Sequence, residues 1–413
     1  MEKTNSDLTL GSLFKNQVIR TILLSTFFLQ IGIWVRNYSI LLFVIEKTHE
    51  NPVAVSLISV AEFAPIFLFS FIGGTFADRW KPKRTMIWCD FLSAVSIFVV
   101  LLTLVFGGWK MIFFATLVSS ILSQFSQPSG MKLFKLHVKE ELIQMGMSIY
   151  QTVFALFMIL GPVIGTFVYQ HYGINAAIAI MGIAFLLSSA ILFLLPPDYE
   201  VEEKRPQTSL MQEMKAGFSY VWNSRALSML GGCFAAAGLA LGLTQPLAVF
   251  LITERLGLPK EMLQWLMAAF GIGMILGGGV TVGIAKKTPP QVLLAMGMSV
   301  SAIGFFVMGF SELFWLTLTV QFLSGLFMPC IHIGINTMIL KNTEAEYIGR
   351  VNGILNPMFM GTMVITMSLS GWLKQSFSLL TMYETSAFLF IVGVLFLVPL
   401  FRGSTVLEKS EEA

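Results

Sequence analysis

The chain has 413 residues, of which 55% are hydrophobic and only 12% are charged, and its net charge is +3. Charged residues make up roughly a quarter of a soluble domain, so this composition excludes a soluble globular protein, a disordered chain and a nucleic-acid-binding protein with a basic surface. The three cysteines stand in apolar segments at unrelated spacings, which indicates neither a bound metal nor a disulfide framework. We therefore expect a protein that is embedded in a lipid bilayer and has no cofactor.

The sequence predicts twelve membrane spans after a polar N-terminal segment, 1–16. A helix needs about 20 apolar residues to cross the hydrocarbon core, and turn residues or charges separate the segments of this length. The first apolar run is too long for the core of a signal peptide, so we expect it to be retained as a span. The predicted spans are 17–44, 52–77, 84–106, 109–129, 142–171, 174–195, 226–252, 261–285, 289–310, 312–340, 346–373 and 380–401.

The distribution of lysine and arginine predicts the orientation of these spans. With both termini in the cytoplasm, the inner segments hold twenty of the 26 cationic residues, the outer loops hold five, and Arg36 lies within the first span. Cytoplasmic loops typically carry such an excess of cations. The longest inner connection is 196–225, and its second part is amphipathic, which predicts an interfacial helix. We therefore predict a six-helix bundle at 17–195, a linker at 196–225, a second six-helix bundle at 226–401 and a cytoplasmic tail at 402–413.

The two predicted bundles resemble each other weakly in sequence. The segment 141–146 (ELIQMG) begins the fifth span, and 346–351 (EYIGRV) begins the eleventh span 205 residues later. Pro128 and Pro329 are likewise 201 residues apart. Because the fifth and eleventh spans cross in the same direction, the repeat is parallel, about an axis along the membrane normal. Such a duplication is typical of transporters whose two bundles rock around a site at their interface.

The loop after the second span resembles a signature of the major facilitator superfamily, G-x-x-x-D-R-x-G-R-[RK], although Lys81 and Pro82 depart from it. The resemblance implies an all-α membrane protein with the major facilitator fold and a latch at the inner gate. Charged groups of this loop can cap a helix or pair with an opposite charge across the interface of the two bundles. A simple cationic anchor on the inner side is the alternative. The predicted gating loop comprises Gly74, Asp78, Arg79, Lys83, Arg84 and Asp90, with Asp90 facing Arg79 or Arg84.

A second motif, Gly161-Pro162-Val163-Ile164-Gly165, lies in the fifth span and resembles the core of the antiporter motif of the same superfamily. A Gly-Pro pair in a membrane helix allows a kink or close packing, and a kink without directional meaning is the alternative. Where drug exporters of the family carry an arginine in the fourth span, this chain has Ser119 or Ser120. The segments 46–48 and 346–351, the Ala64-Pro65 pair and Asp90 resemble the macrolide-efflux subgroup of drug:proton antiporters.

Two charged residues are predicted deep within the membrane, Arg36 in the first span and Glu62 in the second. A charge inside a span is costly and marks a functional site by default. At 1.5 Å per residue, the two side chains differ in depth by roughly 6 Å, which an arginine can bridge. We hypothesise that they form a couple in which Glu62 exchanges a proton for substrate. A permanent ion pair that never titrates is the alternative.

The resemblance implies that spans 1, 4, 7 and 10 line a substrate cavity and that spans 2, 5, 8 and 11 flank it. Amides bind varied substrates without a charge, and Met and Phe supply adaptable apolar walls. Each of these residues alone is more often a contact between helices. A packed or hydrated histidine is the favoured interpretation of His332, with a proton relay as the alternative. The predicted cavity residues are Gln30, Trp34, Tyr38, Gln124, Gln127, Gln151, Phe154, Gln245, His332, Asn336, Asn352, Asn356 and Met358.

These features predict a secondary active exporter of lipophilic and amphipathic small molecules, driven by proton entry across a bacterial cell membrane. The sequence has no G-x-x-x-x-G-K-[ST] motif for an ATPase, so the energy is expected to come from a gradient. We expect a monomer whose partners are the substrate, protons and lipid. The alternatives are the same fold carrying a lysophospholipid, a siderophore or a metabolite and, remotely, a receptor or an intramembrane enzyme.

Overall fold

The structure, a computed structural model, describes residues 16–138, 140–197, 210–285, 287–344 and 347–411. The side chains of 70–79, 135–137, 140–145, 210, 211, 213 and 402–411 lie outside this description. The described residues form helices and short connections, with no strand among them. Contacts divide the chain into one compact unit of 1–49 and 61–202 and another of 50–60 and 203–413. The change at 202 falls within the predicted linker, whereas 50–60, at the start of the second span, groups with the second unit.

The first unit contains α1 (Gln17–Lys47), α3 (Pro82–Val105), α4 (Met111–His137), α5 (Glu140–Leu192) and the part of α2 (Pro52–Arg79) that follows residue 60. Helix α1 begins where the Asn16 side chain accepts hydrogen bonds from the backbone N–H groups of Val18 and Ile19, at 2.9 and 3.3 Å. Helix α3 begins with Pro82 at its first position, where the missing N–H costs nothing. Helix α1 packs along α5, and α3 packs between α4 and α5.

Helix α5 contains both the fifth and the sixth predicted spans. Its 53 residues are interrupted at Gly173, which has φ 72° and ψ −178°. Only glycine adopts this conformation without strain, so the chain turns there between two membrane-spanning segments. Within the described residues, ten helices are long and apolar enough to cross a membrane, with 146–192 counted once. Helix α4 is not among them because its serines and glutamines lower its mean hydropathy. Counting α5 as two spans and including α4 gives the twelve spans of the prediction.

The second unit contains α6 (Leu210–Asn223), α7 (Arg225–Thr244), α8 (Ala248–Phe250), α9 (Leu263–Ala285), α10 (Pro290–Phe310), α11 (Phe314–Asn342), α12 (Ile348–Ser376) and α13 (Leu379–Glu411). The predicted seventh span is broken: α7 ends at Thr244, α8 follows, and a π turn covers Leu251–Arg255. Pro246 lies in this break and supplies no backbone donor to a continuing helix. Residues 50–60 contact α12, where the hydroxyls of Ser56 and Ser370 are 2.9 Å apart.

Glycines bring α9 and α11 of the second unit into backbone contact. A Cβ added to Gly273 would overlap the carbonyl oxygen of Phe322, and one added to Gly277 would overlap that of Leu326. Gly325 of α11 meets the carbonyl oxygen of Phe270 in the same way. Small residues four positions apart allow such close approach of membrane helices. The glycines therefore determine the distance between these two helices.

The linker helix α6 packs on the start of α12. Tyr220 stacks on Tyr347 with 4.4 Å between the ring centroids, and its hydroxyl accepts a hydrogen bond from the backbone N–H of Glu344 at 3.2 Å. The opposite face carries Phe218 and Trp222, which are 56% and 70% exposed. An amphipathic helix with exposed aromatic side chains is typical of a membrane interface.

Candidate transport site

A chain of hydrogen bonds links the charged side chains of α1 and α2 within the first unit. The Arg36 guanidinium donates to the Ser119 hydroxyl at 2.6 Å and, through Nε, to the side-chain Oδ1 of Asn37 at 3.0 Å. The Asn37 amide nitrogen in turn donates to Oε1 of Glu62 at 2.6 Å. Arg36 is only 5% exposed and Ser119 only 3%. Buried charges are tolerated where such hydrogen bonds compensate for lost hydration.

The predicted couple between Arg36 and Glu62 is indirect in the structure. Within the described residues no ion pair joins the two side chains, and the Asn37 amide stands between them. Because Asn37 follows Arg36 in α1, its side chain points in a neighbouring direction and can accept from the arginine while it donates to α2. The two charges are therefore coupled through one neutral amide rather than by direct contact.

The predicted residues of α1 lie beside this network and pack against α5. Trp34 donates from Nε1 to the Gln30 side-chain oxygen at 3.1 Å, and its ring stacks on Tyr38 with centroids 5.9 Å apart. A Cβ on Gly161 would overlap the Trp34 ring, and one on Gly165 would lie 2.7 Å from Cβ of Tyr38. The glycines of the antiporter-like motif thus provide the space for these rings, and the helix continues through Pro162.

Asp90 lies in a second buried polar cluster of the first unit. Its carboxylate accepts hydrogen bonds from the hydroxyls of Ser126 and Ser188, at 3.2 and 2.6 Å. The Ser25 hydroxyl is 2.8 Å from that of Ser188. All four side chains are at most 2% exposed. The cluster joins α1, α3, α4 and α5 through hydroxyl groups.

The gating-loop prediction falls largely on undescribed side chains. Gly74, Asp78 and Arg79 are part of α2, but their side chains lie outside the described set. Lys83 donates to the carbonyl oxygen of Phe193 at 3.0 Å and to that of Leu195 at the end of α5. Arg84 is exposed. The described partners of Asp90 are serine hydroxyls, and its predicted pairing with an arginine stays a prediction.

The predicted cavity residues differ in exposure within each unit. In the first unit Gln30 and Tyr38 are buried, Trp34, Gln124 and Phe154 are partly exposed, and Gln127 and Gln151 are exposed. In the second unit His332 and Asn336 are exposed one helical turn apart on α11, so they share a face. The other members of the second unit are exposed, as in Gln245 and Asn356, or partly exposed, as in Asn352 and Met358.

Among the residues of the network, the sequence did not single out Asn37, although it pointed to Ser119 as the residue that replaces an arginine. An asparagine next to a buried arginine is the signal that could have identified the amide. Among the described residues, no group of three His, Cys, Asp or Glu side chains could hold a metal ion. The described groups of the network are a guanidinium, a carboxylate, an amide and a hydroxyl.

The family model of the Major Facilitator Superfamily matches residues 22–250 and 230–412. This chain belongs to that superfamily. It is 24% identical to the uncharacterized MFS-type transporter YkuC of Bacillus subtilis (strain 168), over 88% of this chain and 87% of that protein. It is also 24% identical to the multidrug efflux pump Tap of Mycobacterium tuberculosis (strain ATCC 25618 / H37Rv), over 78% of each.

This chain is also similar to macrolide efflux protein A of Streptococcus pyogenes, with 22% identity over 80% of this chain and 83% of that protein. Its fold matches a crystal structure of a POT family transporter with a TM-score of 0.72 and 12% identity, over 94% of this chain and 96% of the other. The predicted fold is confirmed, an all-α major facilitator fold. The protein is a multi-pass membrane transporter of small molecules rather than an enzyme.

Proposed function

We propose that this transporter exports lipophilic and amphipathic small molecules across a bacterial cell membrane in exchange for protons. The multidrug and macrolide exporters among its distant relatives support the substrate class. The mixture of amide, aromatic and methionine side chains predicted for the cavity suits bulky, weakly polar molecules. Both termini are proposed to lie in the cytoplasm, and transport is proposed to proceed by alternating access.

The observation that carries the proton-coupling proposal is the hydrogen bond from Asn37 to Glu62. Ionised Glu62 and Arg36 together are electrically neutral, and proton uptake by Glu62 leaves the network with one net positive charge. A direct ion pair would hold Glu62 ionised, whereas a neutral amide partner lets it accept a proton without breaking a salt bridge. Glu62 is therefore assigned as the proton carrier. Arg36 is assigned as the nearby positive charge that balances Glu62 when Glu62 is ionised.

Transport of a fluorescent lipophilic cation in everted membrane vesicles tests this assignment. In Glu62→Gln, efflux driven by the proton gradient is expected to fall to the level of vesicles without the transporter. Exchange of labelled for unlabelled substrate is expected to remain, because exchange needs substrate binding and movement of the bundles but no proton release. The wild type should perform both reactions, and an uncoupler should stop only the first.

Glu312→Gln is the matched control, since Glu312 is an exposed acid whose side chain is 73% accessible beside Arg255. It should retain both reactions at the wild-type level. Gradient-driven efflux by Glu62→Gln at the wild-type rate would contradict the proton-carrier role. Loss of exchange together with gradient-driven efflux, in a variant that still folds, would show that Glu62 acts in substrate binding instead.

A further inference from the structure

A cavity of about 650 Å³ opens in the second unit where α9 ends and α10 begins. Its polar lining residues are Lys287, Thr288, Gln291, Thr337 and Lys341. Apolar side chains from α7, α10, α11 and α13 complete the wall. The volume is that of a small-molecule site, and its polar groups include several hydrogen-bond donors.

The charge of this cavity is positive. No acidic residue is among the described residues of its wall. Lys287 and Lys341 are exposed, and within the described part of the chain neither amine has a hydrogen bond or an ion-pair partner. Two lysines that line one cavity repel each other through their ammonium charges, and an anion that binds both would remove this repulsion.

The first unit has a lysine near the start of α3, the helix that matches α10 in the predicted repeat, and this lysine is engaged within the protein. Helices α3 and α10 both begin with a proline at the first position, Pro82 and Pro290. The next residue of α3 is Lys83, whose amine donates to carbonyl oxygens at the end of α5. The next residue of α10 is Gln291, which lines the cavity. The lysine of the first unit is thus engaged within the protein, whereas the two lysines of the second unit remain available to a ligand.

The surroundings place the cavity at the level of lipid headgroups. The wall includes Ala226 in the first turn of α7, and α6 ends just before it at Asn223. The exposed rings of Phe218 and Trp222 on α6 stack 5.8 Å apart. Exposed aromatic side chains on an amphipathic helix mark the membrane interface, so we expect headgroups and acyl chains beside the mouth of the cavity.

We propose that this cavity binds the phosphate headgroup of an anionic phospholipid from the inner leaflet, between Lys287 and Lys341. The hydroxyls of Thr288 and Thr337 can donate further hydrogen bonds to phosphate oxygens, and the apolar part of the wall accommodates the glycerol and the start of an acyl chain. Basic pockets between membrane helices on the cytoplasmic side bind such headgroups.

Native mass spectrometry of the purified full-length protein tests the site, with phosphatidylglycerol and phosphatidylethanolamine added in equal amounts. The wild type is expected to retain one phosphatidylglycerol in preference. Each lysine near a headgroup contributes roughly fivefold in affinity, so K287Q/K341Q should bind phosphatidylglycerol about 30-fold more weakly. K287R/K341R should retain most of the binding because it preserves both charges.

The control K110Q/K215Q removes two exposed lysines outside the cavity, with the same change in net charge, and should bind phosphatidylglycerol as the wild type does. A parallel thermal-unfolding series uses inorganic phosphate alone. Equal retention by the wild type and K287Q/K341Q would overturn the proposal. Stabilisation of the wild type by phosphate to the same extent as by phosphatidylglycerol would overturn the assignment to lipid and indicate a site for free phosphate.

Discussion

At the scale of single residues, the deep charges of the first unit are held by neutral amide and hydroxyl groups, one of them adjacent in the sequence and the others far along the chain. Arg36 depends on the hydroxyl of Ser119 and the amide of Asn37. Removing one partner of a buried charge leaves the cost of its desolvation uncompensated. The energetic contribution of each hydrogen bond can therefore be measured by truncating the neutral partner.

Ser119→Ala should destabilise the protein by roughly 1–3 kcal/mol, because one guanidinium nitrogen of Arg36 then lacks its acceptor in a buried place. Thermal unfolding in detergent measures the effect. Thr116→Val is the control, since Thr116 is equally buried at 3% exposure but bonds only to the carbonyl of Ile112 in its own helix. Thr116→Val should lower the stability by about 0.6 kcal/mol. An equal loss of stability in both variants would contradict a special role of Ser119.

Asp90→Leu should destabilise the first unit by roughly 2–4 kcal/mol, because the Ser126 and Ser188 hydroxyls lose their acceptor in the core. Asp90→Asn should cost less, since a side-chain carbonyl still accepts one of the two bonds. The ratio of folded to aggregated protein on a temperature ramp compares the variants. If Asp90 instead belongs to a gating latch, both variants would unfold like the wild type and lose transport.

The sequence identified Arg36 and Glu62 because charges within apolar spans are rare, and depth along a helix follows from residue counts alone. It could not predict that Asn37 separates them, since the rotation of α1 against α2 depends on packing across the unit. The serine cluster around Asp90 has the same origin: hydroxyls 36 and 98 positions away meet one carboxylate. Serine in an apolar helix is common, so its periodicity carries no information about such partners.

At the scale of helices, the structure shows which glycines lie against a neighbouring helix and which do not. The three consecutive glycines Gly277, Gly278 and Gly279 differ in the structure. Gly277 faces the backbone of Leu326, whereas an added Cβ on Gly278 or Gly279 meets nothing within 4 Å. Only the first glycine is therefore required for the packing of α9 on α11.

Gly277→Ala should destabilise the second unit by roughly 1–3 kcal/mol, because the new methyl group overlaps a carbonyl oxygen and the helices must separate. Gly278→Ala is the neighbouring control and should be neutral or slightly stabilising, since alanine favours a helix where space is open. Monodispersity and unfolding temperature of the purified variants provide the measurement. A Gly277→Ala protein as stable as Gly278→Ala would show that α9 and α11 are less closely packed.

Some helix boundaries could be predicted from the sequence and others could not. The apolar runs predicted twelve spans, and Gly173 marked the turn within α5 because its neighbours on both sides are apolar over the length of a membrane. The break after Thr244 was not predicted, because Gln245 and Pro246 are only a short interruption of an otherwise apolar run. A proline in a membrane helix often leaves the helix continuous, as Pro162 does in α5, so sequence alone could not distinguish these two outcomes.

At the scale of the whole molecule, the distribution of charge predicts the orientation in the membrane. The excess of lysine and arginine in alternate connections predicts that α6 is cytoplasmic and that the connection between α3 and α4 is external. The proposed direction of transport and the proposed lipid site both require this orientation. Residues on these two connections can report it directly.

Labelling of introduced cysteines with a membrane-impermeant maleimide in intact cells tests the orientation. The native Cys89, Cys233 and Cys330 are all buried, so they should give little background. Lys110→Cys, in the exposed connection before α4, should react in intact cells, because this connection is predicted to face outward. Lys215→Cys, exposed on α6, should react only after the cells are permeabilised. The reverse pattern would invert the topology, and the cavity at Lys287 would then face the outer leaflet, whose headgroups would become the ones available to it.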